Sequence, residues 1–368
     1  MQNIRAEVLL PTEDLREDIP FFTKTLGMRM EEIFPADDPR EAVFQGHGMR
    51  IRIRRGADTP PGILRILADD PVLVAGGLTA LTAPNGTRIE IAPAKPPVVQ
   101  PPTQHAFVVR RLADQAPWIV GRAGMHYRDL IPSRLGGSII ASHIRIPDGG
   151  PVPDMVHYHS VGFQLIFCIR GWVDLVYEDQ GPPFRLHAGN CVIQPPEIRH
   201  RVLFASDNIE VIEIGVPAEH LTTIDHELSL PTDSIRPDRE WNGQRFVHHR
   251  AEDAEWIPAR LPGFAHRDTG IARNTGDVAA VRVLRPDGSP TIWTVHDADI
   301  LFAFVIRGEM TLKGEGQGET PLCAGDAFVI PPGMATQFAD PSDDLELLEV
   351  ALPGTFSTTH QGRGSSTS

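Results

Sequence analysis

A chain of 368 residues with 41% apolar and 22% charged content is long enough for two or three domains, each with its own core. Its net charge of −14 argues against a nucleic-acid backbone or an anionic membrane as a general partner. No stretch approaches the length of a membrane helix. The start, Met1-Gln2-Asn3-Ile4-Arg5-Ala6-Glu7, has no apolar leader run, and three cysteines (Cys168, Cys191, Cys323) are odd in number and far apart. These features predict a cytoplasmic protein with reduced thiols. The abundance of proline (34) and glycine (33), with few aromatics, favours short strands and turns over a helical bundle.

Residues 1–91 read as a small α+β domain. Glu7 to Leu15 is a strand running into a helix whose acidic start suits the positive end of its dipole. Ile19, Phe22 and Leu26, with Phe21, supply the helix's apolar face, and Gly27 ends it. Strands are expected at about 28–34, 42–45 and 50–54, and Pro84-Asn85-Gly86 is a turn feeding a strand to Ile91. Asp14-Leu15, Phe21-Phe22, Leu26-Gly27 and Pro84-Asn85-Gly86 through Glu90 resemble a glyoxalase/bleomycin-resistance (vicinal oxygen chelate) domain. That resemblance implies metal ligands at Glu7 and Glu90. Residues 57–82 are too short for a full second βαβββ module, however, so the domain reads as truncated. Glu7 and Glu90 are then ordinary strand-end carboxylates, and the domain's role is structural or substrate-shaping.

Residues 92–104 form a proline-rich extended linker. An internal repeat follows, at an offset near 137 residues. The phrase from Phe107 to Trp118 recurs from Phe246 to Trp256, Arg128-Asp129 as Arg267-Asp268, and Ile169-Arg170-Gly171 as Ile306-Arg307-Gly308. Two copies of one β-rich unit therefore occupy 105–220 and 246–355, joined by a connector at 221–245 and followed by a polar tail, 356–368, expected to be disordered. Strand-like runs in the first copy fall near 138–146, 164–169, 172–177 and 208–214. A jelly roll for each copy closes such strands around one core.

The chemistry concentrates in the first copy. His157 and His159, at i and i+2 on a strand, point the same way. Gln164 offers an amide oxygen, and His200 arrives from a later strand. Three neutral imidazoles and one oxygen suit one divalent transition metal per chain, with iron ahead of Mn, Ni, Cu or Zn. The arrangement His-x-His, Gln164, Gly171, then Gly189, Pro195 and His200 resembles the two cupin motifs, with Gln164 where a cupin usually has Glu. The resemblance implies two tandem cupin jelly-roll barrels, a mainly β bicupin, behind the small N-terminal domain. In the second copy His157, His159, Gln164 and His200 become Thr294, His296, Leu301 and Thr336, so that barrel is expected to be metal-free.

Other residues near the ion are weighed by parity. Ile166, Cys168 and Arg170 share the face of Gln164; Cys168 reads as core packing, and Arg170 and Cys168 are pocket candidates. Arg145, on the face of His143, is a candidate for pairing with a substrate carboxylate. Tyr177 and Trp172 are candidate pocket walls, whereas Tyr158 points away from the ligands. His126, His187, His248 and His249 lack the spacing and read as surface residues. No general base is identified. Neutral Gln164 leaves the site one unit more positive than Glu would, which favours an anionic or enolate-like substrate.

These readings converge on a metal-dependent enzyme of small, anionic or chelating organic molecules. With iron or copper the resemblance implies a ring- or C–C-cleaving dioxygenase. With Zn, Ni or Mn it implies an isomerase, lyase or hydrolase on a sugar acid or similar carbonyl compound. A non-enzymatic bicupin sensor is the third reading, although the chain has no helix-turn-helix pattern or basic stripe. The expected partners are a small-molecule substrate and a second copy of the chain.

Overall fold

The computed structural model describes residues 6–114 and 117–360. Met1 to Arg5, read above for a leader, and 361–368 of the predicted tail lie outside the described residues, as do Gln115 and Ala116 of the repeated phrase. The chain divides into two compact units, one ending at Pro97 and one beginning at Val98.

In the first unit, strand Val8–Thr12 leads into helix Leu15–Pro20. Asp14 caps that helix, accepting from the Arg16 backbone N–H at 2.9 Å. A wider turn, Phe21–Thr25, continues it, and Gly27 at φ +67° closes it. Strands Arg29–Phe34, Glu41–Gly46 and Met49–Arg55 follow. Val8–Thr12 joins their far side, parallel to Met49–Arg55, giving a four-stranded sheet. Phe22 and Leu26 are buried with Leu10, Phe44, Ile51 and Ile53, and Ile19 and Phe21 pack against that cluster. A second, three-stranded sheet has Ile63–Ala68 parallel to Arg88–Pro93, with Ala80–Thr82 beside it. It is one strand short of the first. The sequence reading missed Ile63–Ala68, whose Ile63 and Leu67 point outward and break the expected apolar-in pattern.

The second unit holds the two repeats, each as a pair of facing sheets. In the first repeat a seven-stranded sheet centres on Phe163–Arg170, Ile209–Val216 and Ile140–Ile146. Its companion sheet carries Trp172–Tyr177, His200–Ala205, His157–His159 and Thr222–Ile224. The second repeat matches it, with Ile300–Arg307 flanked by Glu346–Leu352 and Ala327–Ile330. Strand alternation then sorts the side chains. Phe163, Leu165 and Phe167 point to one shared core with Phe302, Phe304 and Val350, so the two larger sheets pack face to face. Cys168, Leu175, Tyr177 and Val192 point into the first barrel.

The strands that open the repeats are exchanged. Val108–Arg110 pairs with Ala327–Ile330 of the second barrel, and Val247–His249 pairs with Cys191–Ile193 of the first. The 105–220 and 246–355 boundaries thus each begin with a strand that completes the other barrel. The physical reason is that Cys191–Ile193 and Ala327–Ile330 would otherwise present bare sheet edges. His249, expected at the surface, is consequently buried, and His248 stacks on Phe184 at 4.2 Å. The tail reading also changes: Thr358–His360 forms a strand against Thr294–His296.

Candidate metal centre

The first barrel brings three histidines together. His157 lies directly across the sheet from His200, and His159 projects from the same face of its strand. Their candidate ligand atoms all lie within 4.8 Å of one another, and among the described residues this is the sole such grouping of His, Cys, Asp or Glu. Each Nδ1 is already engaged. His157 Nδ1 donates to the Met155 carbonyl at 2.8 Å and His200 Nδ1 to the Ile198 carbonyl at 2.9 Å. His159 Nδ1 meets Thr222 Oγ1 at 2.9 Å. A carbonyl can only accept, so His157 and His200 carry their proton on Nδ1 and leave Nε2 unprotonated, the form that binds a metal. Burial disfavours the imidazolium throughout. It pulls His159 down to about 2, with help from His157, and holds His200 well below its ordinary value.

Gln164 is buried, and its amide nitrogen donates to Glu213 Oε1 at 2.6 Å. The carboxylate accepts, so the amide must present nitrogen to it and keep Oε1 free. Gln164 Oε1 is buried without a hydrogen-bond partner among the described residues. Three clustered imidazoles, two of them with Nε2 unprotonated, and one orphaned amide oxygen fit a divalent transition ion. His157, His159 and His200 would hold it, with Gln164 as the oxygen donor.

A cavity of about 80 Å³ opens beside the histidines. Its wall is mostly aliphatic, with Ile144, Ile166 and Val211 among the lining residues, and its polar members besides the histidines are Arg122, Tyr127, Tyr177, Gln194 and Glu213. Arg122 forms an ion pair with buried Asp154, and its Nη2 donates to His157 Nε2 at 3.0 Å. Glu213 lines the cavity with one face while protein surrounds the rest, and burial raises its pKa against the lowering effect of the Gln164 hydrogen bond.

The sequence reading missed both Arg122 and Glu213. Arg122 sits in the turn after a two-residue strand, where no periodicity marks it. Glu213 did leave a signal. It is the carboxylate in step with Ile209 and Val211 on an otherwise apolar face of its strand.

The other candidates separate. Tyr177 lines the cavity and accepts from Gln194 at 2.9 Å. Cys168 is core, its thiol pushed up to about 12 by burial. Arg170 leaves the pocket because the strand bulges between Cys168 and Arg170; it is exposed and lies 3.5 Å from Glu210. Arg145 faces away, since Ile144 and Ile146 take the inward positions, and it stacks on Trp118 at 4.1 Å. His143, on that same outer face, is buried against Trp118 and bonded to Glu210 at 2.7 Å. Trp172 stacks under Arg185 rather than walling the cavity, and Tyr158 carries Arg199 on its ring. In the first unit Glu7 is ion-paired with Arg50 and Arg52, each at 2.7 Å, and Glu90 with Arg88. Hydrogen bonds from Arg52 and then Arg50 hold Glu7 down to about 2, so it is a paired strand-end carboxylate.

No protein-family model matches the chain. No curated protein matches it either. Solved structures do. Salicylate 1,2-dioxygenase from Pseudaminobacter salicylatoxidans is 15% identical at a TM-score of 0.54, over 72% of this chain and 91% of that one. A mutant of the same enzyme, solved with gentisate, is 17% identical at 0.52, over 72% and 88%. An oxalate decarboxylase mutant of Bacillus subtilis is 13% identical at 0.52, over 71% and 81%. The chain has the bicupin fold. At these identities the likeness is one of fold.

Proposed function

We propose that this chain is a metal-dependent cupin enzyme that cleaves a C–C bond of a small, anionic, chelating organic substrate with O2. The observation that carries the reading is the set of three neutral, buried imidazoles with Nε2 available beside a largely aliphatic cavity holding one guanidinium and one carboxylate. A bound iron would supply open positions for a chelating substrate and for O2. The chain's own groups supply the rest. Asp154 fixes Arg122 at the His157 side, where the guanidinium can take a substrate carboxylate in a two-pronged hydrogen bond. Glu213 lines the cavity as the candidate acceptor for a substrate hydroxyl proton, and Gln164 holds it in position. The aliphatic walls keep bulk water from the reacting centre.

Glu213 also favours a second reading. A carboxylate acid–base beside a redox-inert ion would serve an isomerase, lyase or hydrolase. Metal content of protein from its native host, purified without a nickel column, separates the two when paired with O2 uptake on candidate chelating acids. Iron with substrate-dependent O2 uptake supports the first reading; zinc or manganese without uptake replaces it with the second.

The strand–helix–three-strand order of the first unit, with its first and last strands parallel, supports a truncated glyoxalase-like domain. We assign it a substrate-shaping or structural role. A cytoplasmic homodimer with three free thiols completes the proposal.

A further inference from the structure

The second barrel keeps one of the three imidazoles, His296, has threonines at the other two positions and brings in another set of largely buried charges. Pairing register fixes the correspondence. Thr294 faces Thr336 as His157 faces His200, and Thr358 faces His296 as Thr222 faces His159. Glu349 lies opposite Ala303 and Arg282, as Glu213 lies opposite Ile166 and Ser142. Into this cross-section comes Arg260. It donates to Glu349 and, at 3.0 Å, to Thr358 Oγ1. The guanidinium carbons of Arg260 and Arg282 lie 4.7 and 5.9 Å from the centre of the Phe356 ring.

The charges do not balance. Arg260 and Arg282 bring two positive charges against one negative charge on Glu349, which is 1% exposed, and burial keeps His296 neutral. The hydrogen bonds do not balance either. Arg260 Nε, Arg282 Nη1 and both ring nitrogens of His296 are buried without a hydrogen-bond partner among the described residues. One acceptor, Glu349 Oε1, is likewise buried without a partner among the described residues; it lies 3.8 Å from Arg282 Nη1, beyond hydrogen-bond reach, so the unpaired donors outnumber it. The His296 ring is turned toward the Ile330 carbonyl without closing a bond that meets that geometry. Buried donors left unpaired, and a net positive charge out of water, each cost free energy that an anion would recover.

We propose that the second barrel binds a short-chain carboxylate, of the size of formate or acetate, between Arg260, Arg282 and His296. The guanidinium donors match the two oxygens of a carboxylate, and Phe356 covers the apolar end. Size is limited because Leu301, Ala303, Leu312, Phe328 and Phe338 fill the barrel behind the charges. Entry is possible because the Arg260 and Arg282 side chains keep 18% and 20% of their surface exposed. The site needs no metal and is independent of the chemistry proposed for the first barrel.

The test has two parts on the full chain. Crystals soaked in bromoacetate are read by bromine anomalous scattering, and one bromine site in contact with Arg260 and Arg282 is expected. In solution, sodium acetate at constant ionic strength should raise the thermal midpoint of the wild type and of the His157→Ala/His159→Ala variant, but not of Arg282→Gln. Sodium chloride should have no such effect. The proposal is overturned by bromine found only in the first barrel or on the surface, by an acetate shift that survives Arg282→Gln, or by an equal shift with chloride. If Arg282→Gln fails to fold, the wild-type bromine position decides.

Discussion

Gln164 gives its amide N–H to Glu213 at 2.6 Å, across two neighbouring strands of the first barrel. A carboxylate therefore stands on the strand beside Gln164, outside the three-histidine cluster. There it faces a cavity and holds the amide so that its oxygen stays free.

Replacing Glu213 by Gln should leave metal content unchanged and lower turnover by roughly 10²- to 10⁴-fold, the usual effect of losing a general acid–base. Elemental analysis and O2 uptake measure the two quantities. Unchanged turnover would remove Glu213 from the reaction. Gln164→Glu should be nearly as damaging. It sets two carboxyls in hydrogen-bond contact, and such a pair retains one proton at neutral pH. Carboxyl infrared bands of the variant should show that retained proton, and their absence would mean the two groups had moved apart.

How much of this was legible depended on how each residue is placed. The His157–His159 pair was readable because strand parity alone puts both rings on one face, and His200 because the surrounding Gly and Pro positions repeat in the second barrel. Arg170 was misplaced by the same parity rule, since a bulge after Cys168 resets the alternation and sequence carries no mark of it. Arg145 was misplaced because a strand's pattern of His143 and Arg145 against Ile144 and Ile146 gives two faces without saying which is inside. The exchange of Val108–Arg110 and Val247–His249 was hidden for another reason. The two phrases are alike, so either strand would suit either barrel.

The histidine centre makes a claim about pH. Free imidazoles titrate near 6.5, whereas burial keeps His157, His159 and His200 below that value in the folded chain. Protons therefore compete less well with the metal in the folded state, and affinity measured by chelator competition should fall less steeply below about pH 6.5 than three free imidazoles would dictate. Stability has the opposite character. The unfolded chain binds protons at these positions below about pH 6.5 and the folded chain does not, so their contribution is full above that pH and is lost as pH falls. A metal affinity that fell in step with imidazole titration at pH 6.5 would contradict the burial argument.

Thr222 tests the support of the centre. It engages His159 Nδ1, the ring nitrogen opposite the Nε2 that would hold an ion. Thr222→Val keeps the shape and removes the partner, and metal affinity should weaken by about 10- to 100-fold. His159→Ala should abolish stoichiometric binding, while His296→Ala should not change it, because Thr294 and Thr336 leave His296 without companion ligands.

Arg122 is tested with its partner. Removing the arginine alone would strand Asp154, whose side chain is 1% exposed, so the informative variant is Arg122→Gln with Asp154→Asn. Affinity for a carboxylate-bearing substrate should fall by about 10- to 100-fold, the range of a charge-assisted hydrogen bond. Metal affinity should hold or rise, because His157 Nε2 loses the hydrogen bond at 3.0 Å with which an ion must compete. A variant with unchanged substrate affinity would place the carboxylate elsewhere in the cavity.

The exchanged strands predict a mechanical property. A protease site introduced between His226 and Leu230, in the connector, would cut the chain without cutting either barrel's sheets. Each fragment would still hold the opening strand of the other, and the shared core of Phe163, Phe167, Phe302 and Phe304 would remain buried between them. The two fragments should therefore co-elute on size exclusion and keep their metal. Val109→Pro should weaken that association, since proline at the strand's centre removes a backbone donor and resists the pairing with Phe328. Fragments that separate cleanly after cutting the otherwise native chain would show that the exchange contributes little, and that each barrel closes its own edge in solution.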